Sequence, residues 1–520
     1  WNLGDLAGGS ASAKKTVTAK VAAGSYVPSI KVTNSATLTS DTDFDGATAE
    51  VVITERAIAR MAASRAVVDR LAEGEPKYGI STGFGALASV VIPPDRRRAL
   101  QVALVRSHAA GMGDPVEDEV VRAMVFLRAR TLALGYSGTR PVVAETMVAM
   151  LNASITPIVP EYGSLGASGD LAPLSHAAMA LIGEGHVRVD GVVTEAADAL
   201  AAAGIEPLQL VEKEGLALIN GTDGILGQLC LAVHDAARLT EQADSIVAIT
   251  VEGLLATDAP FADDLQALRP QPGQRISAAN IRAVLAGSAI VASHASPDDT
   301  RVQDAYSLRC TPAVHGAVYD TIGYCRTVAI NELGAAIDNP MVFPDGRVES
   351  CGNFHGAPLG FAADFLAIAV AEIGAIAERR MDRLLDHNRS HGLAPFLAQE
   401  VGVDSGLMIG HYTAAALASE NKRLASPSSI DSLPTSGMQE DHVSMAWLAV
   451  RKLRNVIDNV RRILAVEYVA AARAVEMRAP LQPAEGTGAM IAELRLHVPG
   501  IGPDRYLAPE LQAAEALLRG

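Results

Sequence analysis

Residues 163–176 read GSLGASGDLAPLSH, and they contain the tripeptide Ala167-Ser168-Gly169. The backbone of this tripeptide can close into an electrophile if the amide nitrogen of Gly169 reaches the carbonyl carbon of Ala167 and Ser168 loses water. Small residues are needed for that closure, and glycine tolerates the unusual backbone angles involved. A glycine-rich turn ahead of a helix is the alternative. The tripeptide alone leaves both interpretations open.

Composition limits the classes of partner and compartment. The chain has 520 residues, 49% of them hydrophobic, and a formal net charge of −16. Because binding to phosphate backbones needs a cationic face, we expect no nucleic-acid partner. The four cysteines have no CxxC spacing, so we expect buried thiols in a reducing cytosol and a cytoplasmic protein.

The chain contains neither a recognisable secretory signal nor a clear membrane span. Residues 361–377 are the most apolar stretch, but they include Asp364 and Glu372, which are costly in lipid. We therefore expect a helix buried in a protein core and no membrane partner. The chain begins with Trp rather than Met, so we expect a processed or incomplete start.

The helical patterns predict a mainly α fold: a large bundle of long antiparallel helices, with a smaller mixed N-terminal region that carries active-site loops. A helical pattern begins near Val51, and the clearest later pattern is a seam with spacings of four, three, four and three. We predict three regions: an atypical arm at 1–46, as a short strand or disorder; a region at 47–225 with the tripeptide; and a bundle at 226–520. The seam residues are Ala449, Leu453, Val456, Val460 and Ile463.

Polar or glycine-rich loops interrupt these helices, and functional groups tend to lie on such loops. His387 and His391 are four residues apart, but Asn388 replaces the glutamate of a zinc-protease motif, so we expect no metal site. These loops cover residues 78–88, 163–170, 220–224, 303–312, 338–356 and 426–442, and with the Ser107-His108 pair they hold the remaining candidates. The candidates supply phenols, an imidazole, amides, a guanidinium and a carboxylate. These candidates are Tyr78, Ser107, His108, Asn220, Gln303, Tyr306, Arg309, Phe354, Gln439 and Glu440.

Together these motifs resemble the aromatic amino acid ammonia-lyases and aminomutases. The resemblance runs from about residue 51 to about residue 507, in the family's order. Members use 4-methylidene-imidazol-5-one (MIO), a group formed from their own backbone, so Ala167, Ser168 and Gly169 are expected to form it without an external cofactor. The stretches that carry the resemblance include YGISTGFGALAS from Tyr78, LVRSHAAGMG from Leu104, GSLGASGDLAPLSH from Gly163, EGLALINGTDG from Glu214, VQDAYSLRC from Val302 and GNFHG from Gly352.

Two motifs in this resemblance concern the substrate ring. Members that act on histidine carry Ser-His where this chain has Ser107 and His108, and they carry a glutamate at the position of Glu440. An imidazole ring needs polar partners that a phenyl pocket lacks. The resemblance therefore implies elimination of ammonia from L-histidine to give trans-urocanate, the first step of histidine degradation.

The resemblance also implies roles for the other candidates. Tyr78 is the expected base for the β-proton, although its pKa must fall for that task, with Tyr306 and Gln303 as helpers. Arg309 would hold the substrate carboxylate, and Asn220 would add a polar contact near the prosthetic group. His108 and Glu440 would orient the ring, and Phe354 would form a wall of the site near the electrophile. Family members form homotetramers whose active sites are shared between chains.

Three alternatives stay open: a tyrosine ammonia-lyase, an MIO-dependent 2,3-aminomutase, and a non-catalytic helical assembly with an intact Ser168. The chain also departs from the family pattern in two places. Met438 replaces the commoner Asn before Gln439, which leaves hydrogen bonding near Glu440 open, and residues 1–46 lack the usual opening.

Overall fold

A computed structural model describes residues 30–34, 49–74, 76–295 and 302–519. Most of the predicted N-terminal arm, residues 1–46, lies outside the described residues. The exception is a strand, β1 (Ile30–Asn34), which pairs antiparallel with β2 (Ala49–Ile53).

The other strands are short and pair in small antiparallel sheets. β3 pairs with β5, β6 pairs with both β4 and β7, and β8 pairs with β9. Most of them lie before residue 196. Their bounds are β3 Met112–Pro115, β4 Thr156–Pro157, β5 Pro160–Tyr162, β6 His186–Val189, β7 Val192–Glu195, β8 Met341–Val342 and β9 Val348–Glu349.

Helices make up most of the described chain, and the four longest have 24 to 31 residues. The predicted mainly α fold with long helices is confirmed. The helices are α1 Glu55–Ala72, α2 Arg97–His108, α3 Asp118–Ala133, α4 Pro141–Asn152, α5 Leu171–Leu181, α6 Ala196–Ala202, α7 Glu214–Ile219, α8 Asp223–Gly253, α9 Asp263–Ala267, α10 Pro272–Leu285, α11 Ala289–Ala292, α12 Tyr306–Arg309, α13 Thr311–Gly334, α14 Ala357–Leu385, α15 Met408–Leu424, α16 Ala446–Glu476, α17 Glu485–Arg495 and α18 Ala508–Arg519.

The chain divides into two compact units. The first contains the described residues within 1–231, 328–361 and 428–450, and the second contains those within 232–327, 362–427 and 451–520. In the first unit, Ala167 packs in a buried apolar cluster with Val443 and Met445, so the tripeptide rests on a core. The domain boundaries expected from the sequence stay a prediction.

The seam predicted from the spacing of apolar residues is confirmed in α16. All five seam residues are fully buried, as the helical repeat requires. In the second unit, Gly374 lets α14 pack closely against α16. A Cβ on Gly374 would lie 3.0 Å from Ile463 Cδ1 and 3.1 Å from Val460 Cγ2 of that helix.

The expectation that residues 361–377 are buried on all sides is wrong. These residues do form a helix within α14, but Phe361, Phe365 and Ile368 are 56%, 49% and 44% exposed. Their spacing of four and three places them on one side of the helix. α14 therefore carries an apolar stripe on its surface, and apolar composition alone could not reveal which side was covered.

Two helical segments, Glu214–Gly253 and Ala357–Leu385, have the length and apolar composition that a membrane span requires. The apolar window of the first is 89% buried within the protein and that of the second 56%. Core helices of soluble proteins meet the same criteria, so these segments are weak indications of a membrane span.

Two smaller expectations need correction. The helix expected from Val51 begins at Glu55, because Ala49–Ile53 pairs with β1 and the Thr54 side chain caps α1 by accepting from Ala57 N. Of the four free cysteines, Cys325 is buried while the other three are partly exposed, so the expectation of four buried thiols is also wrong.

Candidate active site

The tripeptide Ala167-Ser168-Gly169 lies between β5 and α5 in the first unit. Gly169 has φ +71°, and a Cβ on it would lie 2.0 Å from Gly221 O, so only glycine fits there. Ala167 and Gly169 are buried, whereas Ser168 is half-buried. The serine side chain is thus accessible on a backbone that is otherwise enclosed.

Asp170 holds this backbone in place. Its fully buried carboxylate accepts from Gly224 N, Ile225 N and Ser164 Oγ, each at 2.9 Å, and its own amide donates to Gly221 O at 2.7 Å. Burial raises the pKa of Asp170 to about 7, although the hydrogen bonds act in the opposite direction. The tripeptide is therefore fixed against the first turn of α8. This rigid, close-packed backbone of small residues fits a group that forms by backbone cyclisation.

Glu440 contacts the tripeptide directly. Ser168 Oγ donates to Glu440 Oε1 at 3.0 Å, and Thr435 Oγ1 donates to Glu440 Oε2 at 3.3 Å. Nearby, Met445 N donates to Leu165 O at 2.9 Å. The loop that carries Glu440 is thus anchored to the loop that carries Ser168.

Met438 does not interfere with these bonds. Its side chain is 68% exposed, and its amide donates to Thr435 O at 3.1 Å. The hydrogen bonding near Glu440, left open by the sequence, is supplied by Thr435.

Tyr78 lies on a loop beside the Glu440 loop. Its hydroxyl accepts from Gly85 N at 3.2 Å, and a Cβ on Gly85 would lie 3.3 Å from Ser436 Oγ. Burial raises the pKa of Tyr78, Asp338 and Glu440 raise it further, and the Gly85 hydrogen bond lowers it. These surroundings keep the phenol protonated near neutral pH, so they oppose the change that a base requires.

His108 ends α2 and is half-buried. Its Nδ1 lies 3.0 Å from Leu104 O and 3.0 Å from Ser107 Oγ. Burial lowers the pKa of His108, against the effects of Leu104 and Glu440, so the ring is neutral at physiological pH. Because a carbonyl oxygen only accepts, the proton is on Nδ1, and Nε2 is an acceptor that can bind a donor on a ligand.

Asn220 follows α7 and is 3% exposed. Its Nδ2 donates to Asn339 O at 2.9 Å, while its Oδ1 is buried without a hydrogen-bond partner in the described part of the chain. A buried acceptor without a partner is uncommon in a finished fold. This oxygen is suited to a ligand that donates a hydrogen bond.

Phe354 is half-buried on a loop that meets the loops of Ser168 and Glu440. Gly356 N donates to Gly166 O at 2.9 Å, and His355 Nε2 lies 3.3 Å from His442 O. The first unit therefore contains five predicted residues together with the Ser168 tripeptide: Tyr78, His108, Asn220, Phe354 and Glu440.

The second unit contains the remaining predicted residues. Gln303 and Arg309 line a cavity of about 460 Å³. The Arg309 guanidinium lies 4.6 Å from the centre of the Tyr306 ring, and Arg309 Nε donates to Asp304 O at 2.9 Å. Tyr306 is 71% exposed. This cluster can offer a cation, an amide and a phenol to a polar ligand.

Sequence reasoning missed several residues that shape the first cluster. Asp170 directly follows the tripeptide, and a carboxylate just ahead of an apolar helix could have been noticed. Lys213 and Asp338 form a buried ion pair of 2.8 Å, but nothing in their sequence spacing links them. Thr435 lies in a run of polar loop residues, so nothing in the sequence marks it as the hydrogen-bond partner of Glu440.

The family described as aromatic amino acid lyase matches residues 41–496 of this chain. Histidine ammonia-lyase of Streptomyces coelicolor is 58% identical over 474 residues, which cover 91% of this chain and 92% of that protein. The similarity thus extends over nearly the whole of both chains.

Solved structures agree on the fold. Histidine ammonia-lyase from Trypanosoma cruzi has a TM-score of 0.83 and 39% identity, covering 90% of this chain and 88% of that one. Tyrosine aminomutase from Streptomyces globisporus has a TM-score of 0.85 and 40% identity, covering 90% and 92%. Lyases and aminomutases share this architecture, so the fold does not by itself choose between them.

Proposed function

Because this chain belongs to the aromatic amino acid lyase family, we propose that it eliminates ammonia from L-histidine and releases trans-urocanate. The observation that carries this proposal is the contact between Ser168 Oγ and Glu440 Oε1 at 3.0 Å. This contact supports the proposal because the Glu440 carboxylate, which can accept from an imidazole N–H, lies beside the serine from which the electrophile would form. The 58% identity to a histidine ammonia-lyase supports the same substrate.

The tripeptide is proposed to form MIO when Gly169 N bonds to the Ala167 carbonyl carbon and two waters leave, one of them with the Ser168 hydroxyl. The positive φ of Gly169 and the anchoring by Asp170 support this closure. MIO supplies an electrophile that makes the substrate amine a better leaving group. Because the backbone that carries this electrophile is already fixed, it does not have to reorganise when the substrate amine leaves.

The ring of the substrate would lie between His108 and Glu440. His108 Nε2 and the Glu440 carboxylate are both acceptors, so they fit a ring that donates N–H hydrogen bonds: a neutral imidazole can donate to one of them and an imidazolium to both. A phenyl ring would leave both acceptors unpaired in a partly desolvated site, at a cost of about 1–3 kcal/mol each. This difference favours histidine over phenylalanine, and it disfavours tyrosine less, because the phenol O–H can donate to one of the two acceptors.

The remaining residues would position the substrate and move its β-proton. Tyr78 is proposed as the base, Arg309 as the partner of the substrate carboxylate, and Asn220 as a polar contact near the prosthetic group. Gln303 and Tyr306 are proposed as supporting groups, and Phe354 as a wall of the site. The guanidinium of Arg309 can pair with a carboxylate through two parallel hydrogen bonds. Tyr78 must lose its proton before it can act.

We also propose a cytoplasmic homotetramer with shared active sites. The exposed apolar stripe of Phe361, Phe365 and Ile368 supports self-association, since isolated chains rarely expose such faces. Light scattering coupled to size-exclusion chromatography tests the assembly. A mass of four chains is expected, and a monomer would contradict this part of the proposal.

A product assay tests the function itself. Purified protein is incubated separately with L-histidine, L-tyrosine and L-phenylalanine, and the products are separated and identified. We expect urocanate and ammonia from L-histidine, with kcat/KM at least about 100-fold above the other two substrates. A β-amino acid product would identify an aminomutase, and faster conversion of L-tyrosine would identify a tyrosine ammonia-lyase.

Peptide mass analysis tests the maturation independently of activity. The peptide that contains Ala167, Ser168 and Gly169 should be lighter by two waters than its sequence requires. An unmodified mass would contradict MIO formation and favour a non-catalytic helical assembly.

A further inference from the structure

His176 is the last residue of the stretch 163–176, and the proposed reaction gives it no role. It lies in the middle of α5, the helix that follows the tripeptide, and its side chain is half-buried. Its Nε2 accepts a hydrogen bond from Gly111 N at 3.0 Å. Because a backbone N–H only donates, Nε2 must be unprotonated for this bond. Burial lowers the pKa of His176, so the ring is neutral at physiological pH and the acceptor is preserved.

α5 is fixed to the tripeptide at its first turn. Asp170 directly follows the tripeptide, and its backbone carbonyl accepts from Leu174 N of α5 at 2.9 Å. Its carboxylate is held by two amides at the start of α8. His176 stands on the next turn of the same helix. Its distance from the tripeptide is therefore set by a rigid element.

Gly111 packs closely between α5 and the strand that leads to the tripeptide. A Cβ on Gly111 would lie 3.0 Å from His176 Nε2, 3.1 Å from Tyr162 O and 3.2 Å from Pro160 Cβ. A Cβ on Gly163, the first residue after β5, would lie 3.3 Å from Gly111 Cα. These distances leave little room for a side chain, so glycine lets the backbone after α2 reach both β5 and α5.

The same backbone segment carries His108. The carbonyl of His108 accepts from Ala110 N at 2.8 Å, and Gly111 follows directly. The His108 ring is held by the last turn of α2 through Leu104 O at 3.0 Å. The ring therefore moves with the end of α2, and the bond between Gly111 and His176 ties that end to the helix of the tripeptide.

We propose that His176 is a positioning residue for the substrate ring: by holding Gly111, it keeps His108 at a set distance from Ser168. This role rests on the proposed function, in which His108 binds the ring while the electrophile formed from Ser168 acts on the amine. The ring and the amine belong to one molecule, so both sites must keep their separation. His176 acts through His108 and does not need to touch the substrate.

The variants His176→Gln and His176→Leu separate the hydrogen bond from packing. Glutamine offers an acceptor oxygen at a reach similar to that of Nε2, whereas leucine has no acceptor. Leucine leaves the Gly111 N–H without this partner, so kcat/KM for L-histidine should fall about tenfold. Glutamine restores the bond and should stay within about threefold of wild type. Equal losses in both variants would contradict the proposal, because packing alone would explain them.

Hydrogen–deuterium exchange tests the contact without turnover. The peptide that contains Gly111 is followed by mass spectrometry in the wild type and in both variants. Exchange at the Gly111 amide should be about tenfold faster in His176→Leu, and His176→Gln should restore slow exchange. Unchanged exchange in His176→Leu would mean that the histidine does not hold this segment, and the proposal would be wrong.

A double-mutant cycle with His108→Leu shows whether His176 acts through His108. Adding His176→Leu to His108→Leu should change kcat/KM by less than about twofold, because the ring contact that His176 positions is already absent. If the full loss recurred in that background, His176 would act on the fold or on another group. That result would overturn the inference.

Glu184→Gln is the matched control. Glu184 lies just after α5 and accepts from Arg106 Nε of α2 at 2.9 Å, so this pair also joins the two helices. The two side chains are 34% and 58% exposed, and exposed ion pairs contribute little. The variant should leave both kcat/KM and the exchange of the Gly111 peptide near wild type. Losses equal to those of His176→Leu would show that any loosening between α2 and α5 has the same effect, and they would refute a specific role for His176.

The activity and exchange measurements together separate this inference from the proposed function. Faster exchange with unchanged kcat/KM would overturn the positioning role and leave the proposed function standing. Absence of urocanate in the wild type would overturn the proposed function, and exchange alone would then decide whether His176 holds the segment.

Folding of each variant is checked by circular dichroism and thermal unfolding. If His176→Leu does not fold, His176→Met takes its place, since a thioether is only a weak acceptor. Failure of both to fold, beside a folded His176→Gln, would assign the bond to folding and overturn the positioning role.

Discussion

The two clusters of predicted site residues differ in how far the single chain has already organised them. In the first unit, Ser168, Glu440 and Thr435 form a connected set of hydrogen bonds on a buried backbone. In the second unit, Tyr306 is largely exposed and Arg309 bonds a backbone carbonyl beside an open cavity. The first cluster is built for chemistry at fixed positions, whereas the second is suited to capture of a polar group. This contrast predicts kcat defects in the first cluster and KM defects in the second.

The largest effect is expected from Ser168→Ala. Without the hydroxyl the tripeptide cannot lose its second water, so the electrophile is absent and kcat should fall by at least about 10⁴-fold. Within the described part of the chain Ser168 makes one side-chain hydrogen bond, to Glu440, so the thermal midpoint should change little. The measurements are urocanate release, peptide mass and thermal unfolding. If the variant still released urocanate at the wild-type rate, the first cluster would not carry the chemistry.

A smaller effect is expected from Glu440→Gln, which keeps the shape but removes the charge. Hydrogen bonds to charged groups are worth about 1.5–3 kcal/mol, so kcat/KM for L-histidine should fall by about 10- to 100-fold. Met438→Asn, two residues away, is the control, because the Met438 side chain is exposed and outside the Thr435–Glu440 bond. Equal losses of kcat/KM in both variants would mean that the conformation of the loop, and not the charge of Glu440, determines the activity.

The first cluster was also the more predictable from sequence. Short motifs identified Tyr78, His108, Ser168 and Glu440, and the structure places them around one loop although they are up to 362 positions apart in numbering. Their hydrogen-bond partners were not predictable, because Thr435 reaches Glu440 only through loop geometry. The α14 stripe was mispredicted for a related reason: periodicity shows that a helix is apolar, but tertiary packing decides which side is covered.

Sequence reasoning was weakest for buried charges. A lysine and an aspartate 125 positions apart, Lys213 and Asp338, carry no local signal of their pairing, since each belongs to an ordinary polar stretch. The cost of burying either charge alone would be large, so the fold must bring both to one place. Buried ion pairs of this kind are therefore found from the structure, whereas candidate residues for the chemistry can be recognised from motifs.

The second cluster is tested by Arg309→Met, with the smallest expected effect. Loss of a bidentate partner for the substrate carboxylate should raise KM for L-histidine about tenfold while kcat falls less, because the groups beside Ser168 are untouched. Arg275→Met is the control: Arg275 is in the same unit, its side chain is 55% exposed, and its contact with Asp263 is long, at 3.8 Å. That variant should leave both constants near wild type. A fall in kcat with unchanged KM in Arg309→Met would mean that this arginine acts on the reaction itself, and the division of labour between the two clusters would then be wrong.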